Sequence, residues 1–156
     1  MKEIPLTKGQ VALVDDEDYE ALAKRRWHAC WMESSQTFYA HHSKLVKDGG
    51  GTLSMHRAIV GAQAGQDVDH INGNGLDNRR ENLRVCSRAQ NLANRRSSRR
   101  RRSGLKGAYK LGERWLASIK SNGKTRHLGV FDTPEEAHAA YCAAARELHG
   151  EFACFG

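Results

Sequence analysis

The sequence predicts an α+β fold in two parts, each built from short antiparallel strands and helices. Two kinds of observation support this prediction. Short apolar runs are separated by Asn-Gly pairs that begin at Asn72, Asn74 and Asn122, and such pairs are typical of tight turns between strands. Ser87 and Thr133 are each followed three residues later by Gln or Glu, which is the capping-box pattern at the start of a helix.

The first part of the chain alternates strand signals with helix signals. Acidic residues precede and basic residues follow the apolar positions between Asp15 and Arg26, as expected for a short helix. Val68 and Ile71 are β-branched and indicate a strand, and a second apolar run begins at Leu83. We predict strands at 8–14, 27–32, 38–42, 68–71 and 83–86, and helices within 15–26, at 55–60 and from 87 onward.

The second part, residues 104–156, reads as three strands followed by one helix. Thr133 caps the helix, Pro134 occupies its first position, and Gly150 ends it. We predict strands at 106–111, 114–121 and 124–130. Period-two alternation predicts a core between sheet and helix made by Trp115, Ala117, Ile119, Leu128 and Val130 with Ala137, Ala140, Tyr141 and Ala144.

Basic residues are concentrated in the middle of the chain, whose formal net charge is +7. Residues 56–103 hold 11 Lys and Arg against 4 Asp and Glu. The flanking segments are nearly balanced, with 7 against 8 in residues 1–55 and 7 against 6 in residues 104–156. Such a distribution is typical of a protein that binds a polyanion. The simplest such partner is nucleic acid.

The sequence carries no signal for export or for a membrane. It begins M-K-E-I-P without an apolar signal core, and no apolar run approaches the length of a membrane span. The four cysteines are scattered without a C-x-x-C pair, which disfavours a zinc ribbon and a disulfide framework. We expect a cytoplasmic protein with no membrane partner.

Residues 67–96 hold the chemistry-bearing side chains. Asp69 and His70 are adjacent on the first predicted strand. Asn82 follows just before the second strand, and Asn91 lies in the second turn of the helix that Ser87 begins. A strand, loop, strand and helix in this order bring an acid and an imidazole close to an amide.

This stretch resembles the HNH nuclease motif, the ββα-metal hairpin and helix of many DNA-cutting enzymes. With Asn in the third position, it resembles the H-N-N variant of phage homing endonucleases. The resemblance implies an HNH endonuclease domain at 1–96 with its ββα-metal core at 67–96. It implies that His70 is the general base, that Asn82 braces it, and that Asp69 and Asn91 hold one metal ion. It also implies double-stranded DNA as the partner, no small-molecule substrate, and a phage-infected or bacterial cell as the setting.

The chemistry of phosphodiester hydrolysis requires side chains of these types. A neutral imidazole can take a proton from water, which suits His70. The oxygens of Asp69 and Asn91 are hard ligands that favour Mg²⁺ or Mn²⁺ over zinc. Asn82 has no titrating proton, so we expect it to fix the loop or the backbone at His70 by hydrogen bonds.

Structural readings of the same residues remain open. A single Asp-His pair is often structural, and Asn near a turn is often turn chemistry, but the combination of all four favours a nuclease. His41 and His42 are neighbours on a strand and point to opposite faces, so they should not share one metal ion. Arg57 is a candidate phosphate contact, whereas His56 either braces the site or only packs.

A run of arginines joins the two parts and is predicted to continue the helix of Asn91 into a basic linker at 97–103. It has almost no apolar residues, so it cannot build a core. Solvated charge and a localisation signal are alternatives, but its position favours a tether that tracks the DNA backbone. The candidate DNA-binding residues here are Arg95, Arg96, Arg99, Arg100, Arg101 and Arg102.

Residues 104–156 resemble the AP2/ERF DNA-binding domain, through K-G-A-Y, R-W-L-A-S-I, N-G-K and H-L-G-V-F-D-T-P-E-E-A. In that family the sheet lies in the major groove and the helix backs it. The resemblance implies that the outer sheet face contacts DNA, although several of its residues depart from the Arg and Trp of plant members. The residues implied are Tyr109, Arg114, Ser118, Lys120, Thr125 and His127, with Leu111 on the same face.

The leading hypothesis is therefore a homing-type endonuclease that depends on a divalent metal and acts as a monomer or weak dimer. One motif per chain should cut one strand, so we expect nicking. The alternative is a non-catalytic, sequence-specific DNA-binding regulator of AP2/ERF type with a relic hairpin. A structural or RNA-binding protein is a third reading, which only the positive charge supports.

Overall fold

The computed structural model describes residues 1–44, 49–94, 104–121 and 123–155. The chain forms two compact units, Met1–Ser87 and Arg88–Gly156. Each unit combines small antiparallel sheets or hairpins with helices, so the predicted α+β class is confirmed. The predicted functional boundaries at 96 and 103 fall outside the described residues and stay predictions. Among the described helices, none has the length and apolar character needed to cross a bilayer.

In its described residues, the first unit contains three small antiparallel sheets and two α-helices. Strands β1 and β2 pair with each other, β3, β4 and β5 form a sheet in that order, and β6 and β7 form a hairpin. The elements are β1 (Lys2–Pro5), β2 (Val11–Val14), α1 (Asp16–Ala23), β3 (His28–Met32), β4 (Thr37–Ser43), β5 (Thr52–Ser54), α2 (Met55–Val60), β6 (Asp67–His70) and β7 (Leu83–Cys86).

One hydrophobic core joins the sheets of this unit. Met55 at the start of α2 is fully buried in it, and Trp27 donates its indole N–H to the carbonyl of Leu22 at 2.8 Å. Val68 of β6 and Leu83 of β7 belong to the same cluster. The hairpin is therefore anchored by an apolar side chain from each of its strands. The cluster comprises Ile4, Ala12, Val14, Leu22, Trp27, Ala40, Met55, Ile59, Val68, Leu76 and Leu83.

Most of the predicted elements of this unit are confirmed, with bounds that match for α2 and β7. The strand predicted at 8–14 begins only at Val11, because Thr7–Gly9 forms a 3-10 turn in which Lys8 and Gly9 adopt left-handed φ values of 60° and 64°. The short strands β1 and β5 were not predicted.

Where the structure describes it, the second unit contains a short helix, a three-stranded antiparallel sheet and a long helix followed by a 3-10 turn at Gly150–Phe152. The order of strands is β8–β9–β10. Thr133 and Glu136 form the predicted capping box, each side chain bonding the other's backbone N–H at 3.2 Å, and Gly150 lies at the C-cap. The elements are α3 (Arg88–Asn94), β8 (Ala108–Leu111), β9 (Arg114–Ser121), β10 (Lys124–Phe131) and α4 (Pro134–His149).

One face of this sheet packs against α4, largely as predicted. Ala117 and Ile119 are buried there, and Trp115 packs beside them. The prediction for Val130 is wrong. The pairing of β10 with β9 shifts between His127 and Gly129, so Phe131 pairs with Trp115 on the helix side, while Val130 pairs with Leu116 on the outer face. A single extra residue at this bulge reverses the alternation that follows it.

Candidate active site

The β6–β7 hairpin holds the predicted acid and imidazole side by side. Asp69 pairs with Arg84 across the hairpin, and His70 pairs with Leu83. Asp69 and His70 are only 6% and 4% exposed. Their neighbours Val68 and Leu83 are fixed in the core, so the two side chains project from a rigid base.

The carboxylate of Asp69 is neutralised by Arg84. Arg84 donates from Nη2 at 2.7 Å and from Nε at 2.9 Å, both to Oδ2. A buried carboxylate requires such a partner, because leaving it uncompensated is strongly destabilising. The sequence analysis did not single out Arg84, since its place opposite Asp69 follows only from the register of the hairpin.

His70 is held as a neutral imidazole. Burial lowers its pKa from the ordinary value, while a hydrogen bond with Asn78 and the charges of Asp69 and Asp77 act in the opposite direction. With burial the larger effect, the ring is uncharged at neutral pH. An uncharged imidazole has a lone pair that can accept a proton from water.

Two further rings surround His70. The ring centroid of His56 lies 5.1 Å from that of His70, and that of Tyr39 lies 5.6 Å away. His56 and Tyr39 also contact each other, at 5.7 Å. Each pair meets edge to face, so the three rings form a closed cluster. Tyr39 has no signal in the sequence that marks it, because β4 reaches the hairpin only in the folded unit.

His41 and His42 point to opposite faces of β4, as predicted. His41 stacks on Tyr39, with ring centroids 6.4 Å apart. His42 instead contacts the ring of Trp27 and lies 2.9 Å from the carbonyl of Arg26 through Nδ1. The two imidazoles therefore cannot share one ion.

Asn82 stabilises the loop between the two strands. Its Oδ1 accepts from the backbone N–H of Asn72 at 3.0 Å. Its Nδ2 donates to the carbonyl of Asp77 at 2.8 Å and to Oδ1 of Asn72 at 3.1 Å. The backbone carbonyl of Asn82 also accepts from Ile71, the residue after His70, at 2.9 Å. The side chain thus holds the loop rather than the imidazole itself.

The residue that reaches the imidazole is Asn78, which the sequence analysis missed. Its Oδ1 lies 3.4 Å from Nε2 of His70, and the residue is fully buried. Its backbone N–H donates to the carbonyl of Leu13 in β2 at 2.8 Å. In the sequence Asn78 is one of several Asn in a polar loop, and only its contact with a distant strand distinguishes it.

The loop also packs closely against the ring cluster. A Cβ added at Gly75 would overlap the carbonyl oxygen of Phe38 and come within 2.8 Å of the Tyr39 ring. Only glycine allows the loop this close to β4. Asp77, next to Asn78, receives a two-pronged hydrogen bond from Arg79, and that guanidinium holds the pKa of the Asp77 carboxyl below its usual range.

The donor set suits a hard divalent cation. Mg²⁺ commonly uses one or two protein carboxylates and fills its other positions with water and phosphate. Asp69 beside His70 is one such carboxylate, and the described residues contain no group of three His, Cys, Asp or Glu that could by itself hold a metal ion. Asn91, the predicted second ligand, lies on α3 of the second unit, and its role stays a prediction.

Arg57 is occupied by the protein itself. Its guanidinium donates to the carbonyls of Gln66 at 2.6 Å, Gln63 at 2.9 Å and Ala62 at 3.3 Å. These bonds fasten the connection between α2 and β6. The structure thus gives Arg57 a structural task, and its predicted phosphate contact remains a prediction.

The predicted DNA-binding residues of the second unit share the sheet face opposite α4. Lys120 pairs with Thr125 and Ser118 with His127 across β9 and β10, and Tyr109 pairs with Leu116 across β8 and β9. Arg114 is on the same face, but it bonds Asp132 at 2.9 Å and the carbonyl of Val130 at 3.1 Å. The predicted contacts at Arg95, Arg96, Arg99, Arg100, Arg101 and Arg102 lie outside the described residues.

Comparisons with known proteins agree with this geometry. Residues 58–93 match the sequence profile of the HNH endonuclease family. An uncharacterized HNH endonuclease of Acanthamoeba polyphaga mimivirus is 31% identical over 153 residues, which cover 94% of this chain and 74% of that protein. Protein 3.8 of Escherichia phage T7 is 36% identical over 93 residues, which cover 58% of this chain and 76% of that protein. No solved structure gives a significant match.

The Asp–His pair on its hairpin, taken with these matches, defines the protein as a nuclease. The chain belongs to the HNH endonuclease family. Its substrate is DNA, and enzymes of this family generally use a divalent metal ion.

Proposed function

We propose that the protein is a homing-type endonuclease that nicks duplex DNA with the help of Mg²⁺ or Mn²⁺. The observation that carries this proposal is the buried Asp69–His70 pair, with a neutral imidazole fixed at the base of a loop. His70 accepts the proton of the attacking water. Asp69 and, by the pattern of the motif, Asn91 would hold the ion, which supplies positive charge to the phosphate and makes bound water more acidic.

The second unit is proposed to anchor the enzyme on DNA as an AP2/ERF-like module. Its support is a three-stranded sheet with α4 on one face and an exposed opposite face that carries Lys120, Thr125 and His127. The arginines between 95 and 102 would add contacts to the phosphate backbone. One catalytic hairpin per chain supports cutting of a single strand by a monomer.

The test is a nicking assay on a supercoiled plasmid that carries the DNA flanking the coding region of this protein. We expect open-circular product with Mg²⁺ or Mn²⁺ and none with a chelator. His70→Ala should reduce the rate by about 10²-fold or more, because a general base contributes about that much. DNA binding by the same variant, measured by gel shift, should be unchanged. His149→Ala, in the last turn of α4, is the matched histidine control and should cut normally.

Other outcomes assign the protein differently. Full cutting by His70→Ala would remove His70 from the mechanism. Sequence-specific binding without cutting, with every divalent ion tried, would favour a non-catalytic DNA-binding regulator. Immediate linear product, with no open-circular intermediate, would favour a dimer that cuts both strands together.

A further inference from the structure

The side chain of Asn78 is fully buried, although its amide N–H group makes no hydrogen bond with the described residues. Its residue exposure is 0%, and among the described residues its Nδ2 has no hydrogen-bond partner. A buried donor without a partner is destabilising, and such groups are uncommon in folded proteins. The side-chain contact that remains is Oδ1 to Nε2 of His70, at 3.4 Å. The side chain is thus best explained by what it does for the imidazole.

Strand β2 holds Asn78 in place from both sides. The backbone N–H of Leu13 donates to the carbonyl of Leu76 at 2.9 Å, and that of Asn78 donates to the carbonyl of Leu13 at 2.8 Å. Leu13 also pairs in parallel with Asp77 as an isolated bridge. These bonds fix the backbone of Asn78, from which its fully buried side chain extends to His70.

An amide oxygen can only accept a hydrogen bond, which determines the form of the ring. Facing Oδ1 of Asn78, Nε2 of His70 must carry the hydrogen. In a neutral imidazole the lone pair is then on Nδ1. The rings of His56 and Tyr39 pack against the same imidazole and oppose its rotation.

We propose that Asn78 is a positioning residue that holds His70 in its Nε2–H tautomer, so that Nδ1 is the atom that receives the proton from water. This inference rests on the proposed function of His70 as the general base. It assigns Asn78 the task that the motif alone would give to Asn82, whose side chain bonds the loop instead. Removing such an orienting partner typically reduces activity about 10- to 100-fold.

Two variants of similar size test the proposal in the full chain. Asn78→Leu fills the site but removes the acceptor, whereas Asn78→Asp keeps an acceptor oxygen there but replaces the Nδ2 group with a second oxygen and adds a buried charge. We expect Asn78→Leu to lower kcat about 10- to 100-fold with KM for DNA nearly unchanged. Asn78→Asp should keep the Nε2–H tautomer, but its charge raises the pKa of His70, so kcat should approach the wild-type value only as the pH rises. Melting temperatures show that each variant is folded.

The tautomer is read directly by ¹⁵N NMR of the histidine rings, with His70 assigned by the signals lost in His70→Ala. We expect Nε2 protonated and Nδ1 unprotonated in the wild type, and a mixture of both tautomers in Asn78→Leu. A wild-type ring protonated at Nδ1, or a folded Asn78→Leu with wild-type kcat, overturns the proposal. If His70→Ala itself cuts normally, the proposed general base is wrong, while the tautomer measurement still reports on Asn78 separately. If Asn78→Leu does not fold, a folded Asn78→Asp whose kcat stays low at every pH while the wild-type tautomer is intact counts against the proposal.

Discussion

His56 shows how burial in the ring cluster changes the chemistry of a single residue. Burial, followed by the nearby rings of His70 and His41 and the charge of Arg57, lowers its pKa from 6.5 to about 3. Its Nδ1 is buried and has no hydrogen-bond partner among the described residues. The folded protein therefore resists protonation at this position, while the unfolded chain accepts a proton below about pH 6.5.

The sign of the resulting pH dependence follows from this difference. The contribution of His56 to stability is fully present above its unfolded pKa and is lost as the pH falls towards 3. We expect the free energy of unfolding to decrease by up to about 1.4 kcal/mol for each pH unit below 6.5 because of this one group. Urea denaturation at pH 7.5 and 5.5 measures it, and His56→Phe should show a correspondingly smaller decrease.

His127→Gln is the control for this measurement, because His127 is exposed on the second unit and should leave the decrease unchanged. An identical loss of stability in wild type and His56→Phe would mean that His56 is protonated in the folded protein. The ring would then act at the site as a cation and not as a neutral packing partner of His70.

Asp69 shows how a buried charge is stabilised by an oppositely charged partner. Its carboxylate and the guanidinium of Arg84 are both largely buried, and they meet at 2.7 Å. Removing one partner of such a pair typically costs about 3–5 kcal/mol, since the other charge is left buried. Arg84 therefore holds the proposed ligand in position within the folded unit.

At the scale of elements, the two faces of the sheet in the second unit differ in burial and charge. Ala117 and Ile119 pack against α4, while Lys120 and Thr125 pair on the exposed face. Arg126 of β10 pairs with Ile119 of β9, so its side chain lies on the face of the sheet that packs against α4. There its guanidinium lies 4.0 Å from the carboxylate of Glu147. Lys120 and Arg126 are thus two basic residues, six positions apart in the sequence, that lie on opposite faces of one sheet.

This pair tests whether the exposed face binds DNA. Lys120→Gln should weaken DNA binding and, if Lys120 contacts a phosphate, reduce the slope of log Kobs against log salt by about 1. Arg126→Gln removes the same charge from the other face and should have little effect on binding. Fluorescence anisotropy at several salt concentrations measures both. Equal weakening by the two variants would show a general effect of net charge instead of an interface at this face.

The sequence predicts these elements well where local signals are strong. The capping box at Thr133 and the apolar run at Leu83 placed α4 and β7 correctly. Local signals fail where a distant partner decides the outcome. The bulge before Gly129 turns Val130 outward, and β1 forms only because β2 pairs with it. The site follows the same rule, because the motif named Asp69 and His70, whereas Asn78 emerges only from its bond to β2.

At the scale of the whole molecule, the two units differ in what they contribute. The buried polar residues described in the first unit all lie in one hairpin and its loop. They are Asp69, His70, Asp77, Asn78 and Asn82. In the second unit, the buried residues of the two described core clusters are apolar or aromatic. Buried polar networks can fix geometry, which agrees with the roles proposed for Asp69 and His70 in the first unit. We therefore expect affinity for DNA to come largely from charge elsewhere in the chain.

Residues 56–103 supply that charge, and its contribution can be measured as counterion release. Each Arg that neutralises a phosphate adds about 0.9 to the steepness of log Kobs against log salt. Replacing Arg100 and Arg101 with Gln should therefore reduce the slope by up to about 2, while the single-turnover cutting rate at saturating protein stays close to wild type. The control replaces Lys24 and Lys44 with Gln, which removes two positive charges from the N-terminal segment, where charges are nearly balanced. This control should leave the slope of log Kobs against log salt unchanged. A loss of cutting rate at saturation in Arg100→Gln/Arg101→Gln would instead place these arginines in the catalytic step, because weaker binding alone is overcome by excess protein.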